Sequence, residues 1–74
     1  MQYFELGKFI KQKREKEGWS LNKFAVECEV DPAILCRIEN KKQNIKLNVL
    51  EKIAKGFSKT PAEFLTEFEN EYFI

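Results

Sequence analysis

Arg37, Asn40, Lys41, Lys42 and Gln43 fall within seven residues of one another, and Ser20 and Asn22 stand together upstream. All of these side chains donate hydrogen bonds, and three of them carry positive charge. Such a set suits phosphate oxygens and the edges of nucleobases. We expect Ser20, Asn22, Asn40, Lys41, Lys42 and Gln43 to contact a nucleic-acid backbone, where most of the affinity arises. Selectivity needs a donor aimed at a base edge. Arg37 is the one long donor among the outward positions 32, 33, 36 and 37 of its segment. Its fork matches O6 and N7 of guanine, a contact that discriminates by about 1–3 kcal/mol. Pro32, Ala33 and Ile34 offer apolar surface instead, which suits thymine methyl groups.

Two short helices with a tight turn would position this set. Ser20 is a good N-cap, and Phe24, Ala25 and Cys28 fall on one face of the helix that follows, Leu21–Cys28. Glu29 and Val30 make the turn. Asp31-Pro32 opens the next helix, Pro32–Asn40, with Asp as cap and Pro in the first helical position. Leu35 and Ile38 face inward. The head of the first of these helices also presents the positive end of a helix dipole, which favours a phosphate. Helix pairs of this kind lay their second member along the major groove of DNA.

Three more helices complete the chain. The first runs from about Tyr3 to Lys16, with Leu6, Phe9 and Ile10 apolar and Gly18 as its stop. Lys41-Lys42-Gln43-Asn44 reads as a polar loop. The fourth helix is about Leu47–Phe57, with Leu47, Leu50, Ile53, Ala54 and Phe57 on one stripe. Thr60-Pro61-Ala62-Glu63 is a capping box, so the fifth helix starts at Pro61 and carries Phe64, Leu65, Phe68 and Tyr72. We expect an all-α, compact five-helix bundle forming one domain over residues 1–74.

With 74 residues and 43% hydrophobic side chains, there is room for one small core. The net charge of +1 hides an asymmetry. Residues 1–60 hold all 13 Lys and Arg against eight acids, a net of +5, while residues 61–74 hold four acids and no base. A basic body keeps nucleic acid in view as a partner. Cys28 and Cys36 are eight apart without any histidine, which is not metal-ligand spacing, so we expect no metal and no cofactor. Both thiols read as small core or near-core residues in a reducing compartment. No apolar run approaches ~18 residues, so we expect no membrane span and a soluble, cytoplasmic protein. Nothing resembles an activated nucleophile or a glycine-rich phosphate loop, so an enzyme is not expected.

The chain resembles the phage-repressor and Cro-type helix-turn-helix proteins, the XRE family. Leu6-Gly7, Ile10, Arg14, Gly18-Trp19-Ser20, Phe24-Ala25, Val30, Leu35, Arg37-Ile38-Glu39-Asn40, Asn44, Leu47, Leu50, Ile53-Ala54 and Phe64-Leu65 carry the likeness. It covers about residues 4–66. Ile38-Glu39-Asn40 and Asn44-Ile45-Lys46-Leu47 are also similar to the controller proteins of restriction–modification systems. The resemblance implies a lambda-repressor-like DNA-binding domain. Its third helix would lie in the major groove and its second across the backbone, with two subunits on two half-sites of double-stranded DNA. It also implies an ion pair between Arg14 and Glu39 that fixes the angle of the reading helix. Leu21 and Glu29 depart from the family, which often has Gln and Gly there. At a positive φ, a side chain in the place of that Gly costs about 1–2 kcal/mol.

The tail is rich in apolar side chains. Phe64 and Leu65 can close the core, which leaves Phe68, Tyr72, Phe73 and Ile74 little to cover. We therefore expect a homodimer through Leu65, Phe68, Tyr72 and Phe73. The alternative is that the tail folds back onto Tyr3, Phe4 and Phe9. Trp19 reads as a core residue at the corner between the first two helices. The function expected is a sequence-specific DNA-binding regulator, repressor or controller. The alternative is a protein-interaction module on a helix-turn-helix scaffold, suggested by the apolar 32–34 surface and the acids Glu27, Glu29 and Asp31.

Overall fold

Five helices follow one another, α1 (Leu6–Lys16), α2 (Leu21–Cys28), α3 (Pro32–Glu39), α4 (Leu47–Gly56) and α5 (Pro61–Tyr72). The computed structural model describes residues 5–72, so Tyr3, Phe4, Phe73 and Ile74 lie outside the described residues, as does the Tyr72 side chain. The starts of three helices are set by their caps. Ser20 Oγ accepts from Lys23 N (3.1 Å), and Asp31 Oδ1 accepts from Ala33 N (2.8 Å). At α5 the box is reciprocal: Thr60 N donates to Glu63 Oε1 (2.9 Å) and Glu63 N to Thr60 Oγ1 (3.1 Å).

The first four helices all end in the same way. The chain turns left-handed at Gly18, Glu29, Lys41 and Ser58, with φ between 59° and 78°. The next amide then reaches back five residues: Trp19 to Arg14 O, Val30 to Ala25 O, Lys42 to Arg37 O and Lys59 to Ala54 O. These bonds satisfy carbonyls that a helix end would otherwise leave open. Only one of the four turning residues is glycine. Each of the other three bears a Cβ in a conformation that disfavours it by about 1–2 kcal/mol. Part of that cost returns when glycine loosens the unfolded chain. Ser58→Gly, remote from α3 in sequence, is expected to stabilise the protein by about 0.5–1 kcal/mol. In a domain of this size that is roughly 2–8 °C in Tm. A calorimetric midpoint equal to or below that of the parent would contradict this.

The core is organised around a chain of aromatic rings. Trp19 stacks on Phe24 (5.4 Å) and Phe57 (5.8 Å), and Phe57 stacks on Phe64 (5.6 Å). Phe9 of α1 then meets both Phe64 (5.3 Å) and Phe68 (5.5 Å). Trp19 is half-buried against this core. Phe68 is fully buried, 0% exposed, so its assignment to a subunit interface is corrected. The face of α1 that carries Phe9 needs a cover, and Phe64 and Phe68, one turn apart on α5, supply it. Glu67 pins the same helix by accepting from Lys13 of α1 (2.9 Å) and from Lys59 (3.0 Å).

Leu47 also departs from expectation. It is 69% exposed, at the first position of α4 and on the flank of the Leu50-Ile53-Ala54 stripe. Gly7 of α1 is placed where a Cβ would collide with the carbonyl of Ile38, so the backbones of α1 and α3 touch directly. No helix among the described residues is long and apolar enough to cross a membrane.

Candidate nucleic-acid interface

A buried ion pair joins α1 to the end of α3. Arg14 Nε donates to Glu39 Oε2 (2.8 Å) and Arg14 Nη2 to Glu39 Oε1 (3.0 Å). The remaining arm, Nη1, donates to the carbonyl of Trp19. One guanidinium thus joins α1, the end of α3 and the α1–α2 corner. Both partners are buried, and the guanidinium is held above its ordinary pKa, chiefly by its hydrogen bond to Glu39 and against the effect of burial. Bidentate geometry of this kind is the strong form of a charged hydrogen bond.

Leu35, Ile38 and Glu39 fill the inner side of α3, and Pro32, Ala33, Cys36 and Arg37 are exposed on the outer side. Ile34 does not join the outer group. It is half-buried and packs against the core, between the two faces. Cys36 is exposed, as its outward position one turn beyond Pro32 and Ala33 predicts, and it does not join the core as the reading of both thiols as core or near-core residues had it. Cys28 is buried, and burial first, then the charge of Glu27, pushes its thiol up to about 11.

The donors near the end of α3 are already engaged to different degrees. Arg37 Nε donates to Gln43 Oε1 (2.8 Å). Asn40 Nδ2 donates to the Cys36 carbonyl (2.8 Å), and so spends its amide on closing the helix. Lys41 Nζ sits 2.9 Å from Glu5 Oε1, so a phosphate there shares or competes for the ammonium with that carboxylate. Lys42 is exposed. At the head of α2, Ser20 and Asn22 are exposed, and Leu21 is half-buried against the core.

Two lysines of α1 were absent from the sequence reading. Lys8 and Lys11 line a shallow groove together with Asn40 and Lys41. Their spacing of three puts them on one side of α1, but only the crossing at Gly7 brings that side beside α3. Three acids, Glu27, Glu29 and Asp31, are exposed around the α2–α3 turn. No group of three or more His, Cys, Asp and Glu side chains suited to a metal occurs among the described residues.

Comparison with known proteins agrees with this architecture. A helix-turn-helix family model matches residues 10–64, most of the chain. Control protein C.MunI from Mycoplasma sp. is 36% identical over 64 residues, covering 86% of each chain. No solved structure matches. On the extent of both likenesses, the chain is a member of the XRE-type helix-turn-helix family.

Proposed function

We propose that this protein is a DNA-binding transcriptional regulator that acts as a homodimer, placing one copy of α3 in the major groove of each of two half-sites. The observation that carries this reading is the outward face of α3. It holds Arg37 at its exposed end, and the Arg14–Glu39 pair lies beneath the end of the same helix. Arg37 reads guanine, and Pro32 and Ala33 lie against thymine methyls. Ser20, Asn22, Lys42 and the groove lysines Lys8 and Lys11 hold the backbone, and Lys41 joins them in competition with Glu5. Similarity to a control protein favours a controller of restriction–modification genes over a phage repressor. Such a protein works in the cytoplasm, without cofactor or metal.

The subunit contact draws on Leu65 of α5, which is half-buried, on Tyr72, and on Leu47, which is 69% exposed. Selection of bound duplexes from a random pool tests the whole reading. The expected result is a pair of related half-sites centred about one helical turn apart. Recovery of unrelated sequences would refute it. Lys42→Ala is expected to weaken all duplexes alike and to lower the slope of log K against log salt by about 1 per subunit. An unchanged slope would remove Lys42 from the phosphate contacts. If the true partner is a protein held by apolar contact, binding will show little dependence on salt.

A further inference from the structure

We propose that Gln43, in the loop after α3, is a specificity-determining residue: it fixes which edge of the Arg37 guanidinium is offered to the base pairs. This rests on the DNA-reading role given to Arg37 above. The sequence reading placed Gln43 among backbone contacts; the structure gives it a different neighbour. Gln43 Oε1 accepts from Arg37 Nε at 2.8 Å. The loop is built to bring the two together. Lys41 turns left-handed, Lys41 N donates to Ile38 O (3.1 Å), and Lys42 N donates to Arg37 O (2.8 Å). The chain therefore folds back over the last turn of α3, and residue 43 arrives beside residue 37. Gln43 is half-buried there, so its amide is a fixed support and not a freely moving tip.

A guanidinium has two useful forks. One is lateral, formed by Nε and one terminal nitrogen. The other is terminal, formed by Nη1 and Nη2. Either matches a phosphate or the O6 and N7 of guanine, but the two approach from different sides of the side chain. Gln43 consumes Nε, which removes the lateral fork and leaves the terminal one for a ligand. A guanidinium held in this way reaches a base edge with its geometry already set. Released from Gln43, it can swing sideways onto the backbone, and selectivity is then lost while charge neutralisation is kept. A carbonyl acceptor suits this role because it adds no charge to the surface.

The test is competition binding by the full-length protein. It uses the duplex recovered from selection, and variants in which the guanine assigned to Arg37 is replaced by adenine. For the parent, the preference for guanine is expected to be about 10- to 100-fold. Gln43→Ala is expected to cut that preference by about threefold to tenfold, with affinity for random duplex changed less than twofold. Gln43→Glu retains an acceptor at the same reach. It is expected to keep most of the preference while lowering affinity on every duplex. In an Arg37→Ala background, Gln43→Ala is expected to change the preference no further. Gln43→Ala with undiminished preference, or with the same loss on all duplexes, would overturn the inference and return Gln43 to the backbone contacts. If the parent shows no preference for any duplex, the DNA-reading role of Arg37 itself falls, and this inference falls with it.

Discussion

Glu39→Ala is expected to destabilise the protein by about 3–5 kcal/mol, read as a fall in the urea midpoint at constant slope. The loss is large because alanine leaves the Arg14 guanidinium buried with only the Trp19 carbonyl beside it. A buried charge without its partner costs far more than the intact pair contributes. Small domains have total stabilities of about 5–15 kcal/mol, so the variant should be partly unfolded at physiological temperature. The double variant Arg14→Met with Glu39→Leu is expected to recover most of that loss, since apolar replacements of similar volume are often neutral. Its DNA affinity then becomes informative. If the pair sets the angle of α3, the double variant folds but binds its selected duplex more weakly. A loss below about 1 kcal/mol in Glu39→Ala would mean that Arg14 finds water or another acceptor, and that α3 is held by its apolar contacts alone.

The second large effect concerns the two thiols. Cys36 is exposed on the outer face of α3, whereas Cys28 is buried with its pKa pushed up to about 11. At pH 8 such a thiol is ionised in about one molecule in a thousand, and only the thiolate attacks a maleimide. A bulky maleimide is therefore expected to modify Cys36 alone, as mass spectrometry of tryptic fragments will show. The adduct stands between Ala33 and Arg37, on the face that the proposed reading gives to base pairs. Binding to the selected duplex is expected to drop to the level of random DNA, about 10³-fold or more weaker. In the reverse experiment, bound duplex should protect Cys36 from modification. Labelled protein that binds with undiminished affinity would mean that this face of α3 points away from DNA.

The helices were legible because their boundaries are written in local chemistry. Thr60 and Glu63 close a box whichever way the rest of the chain packs, and Asp31-Pro32 can hardly be anything but a helix start. The helix ends were less readable. Glu29, Lys41 and Ser58 turn left-handed without being glycine, and nothing in a lysine or a serine announces this. Phe68 was misassigned because the covering needs of α1 were underestimated. Phe9 requires two rings over it, which uses up the side chain that had looked surplus. The outer face of α3 followed from helical spacing, apart from Ile34, which sits on the border between inside and outside. The engagement of Arg37 by Gln43 and of Lys41 by Glu5 was beyond reach. Each depends on where a loop returns, and that is decided by the backbone turn at Lys41.

At Gly7 the first helix touches the third through main-chain atoms, and Leu35, Ile38 and Glu39, with Ile34 at the border, carry the inward packing of that third helix. The side chains of Ala33 and Cys36 are exposed and lie outside the core, whereas Pro32 opens the helix and Arg37 is tied to Gln43. If α3 reads base pairs as proposed, substitutions at Ala33 and Cys36 are the ones that alter its target with least disturbance of the bundle.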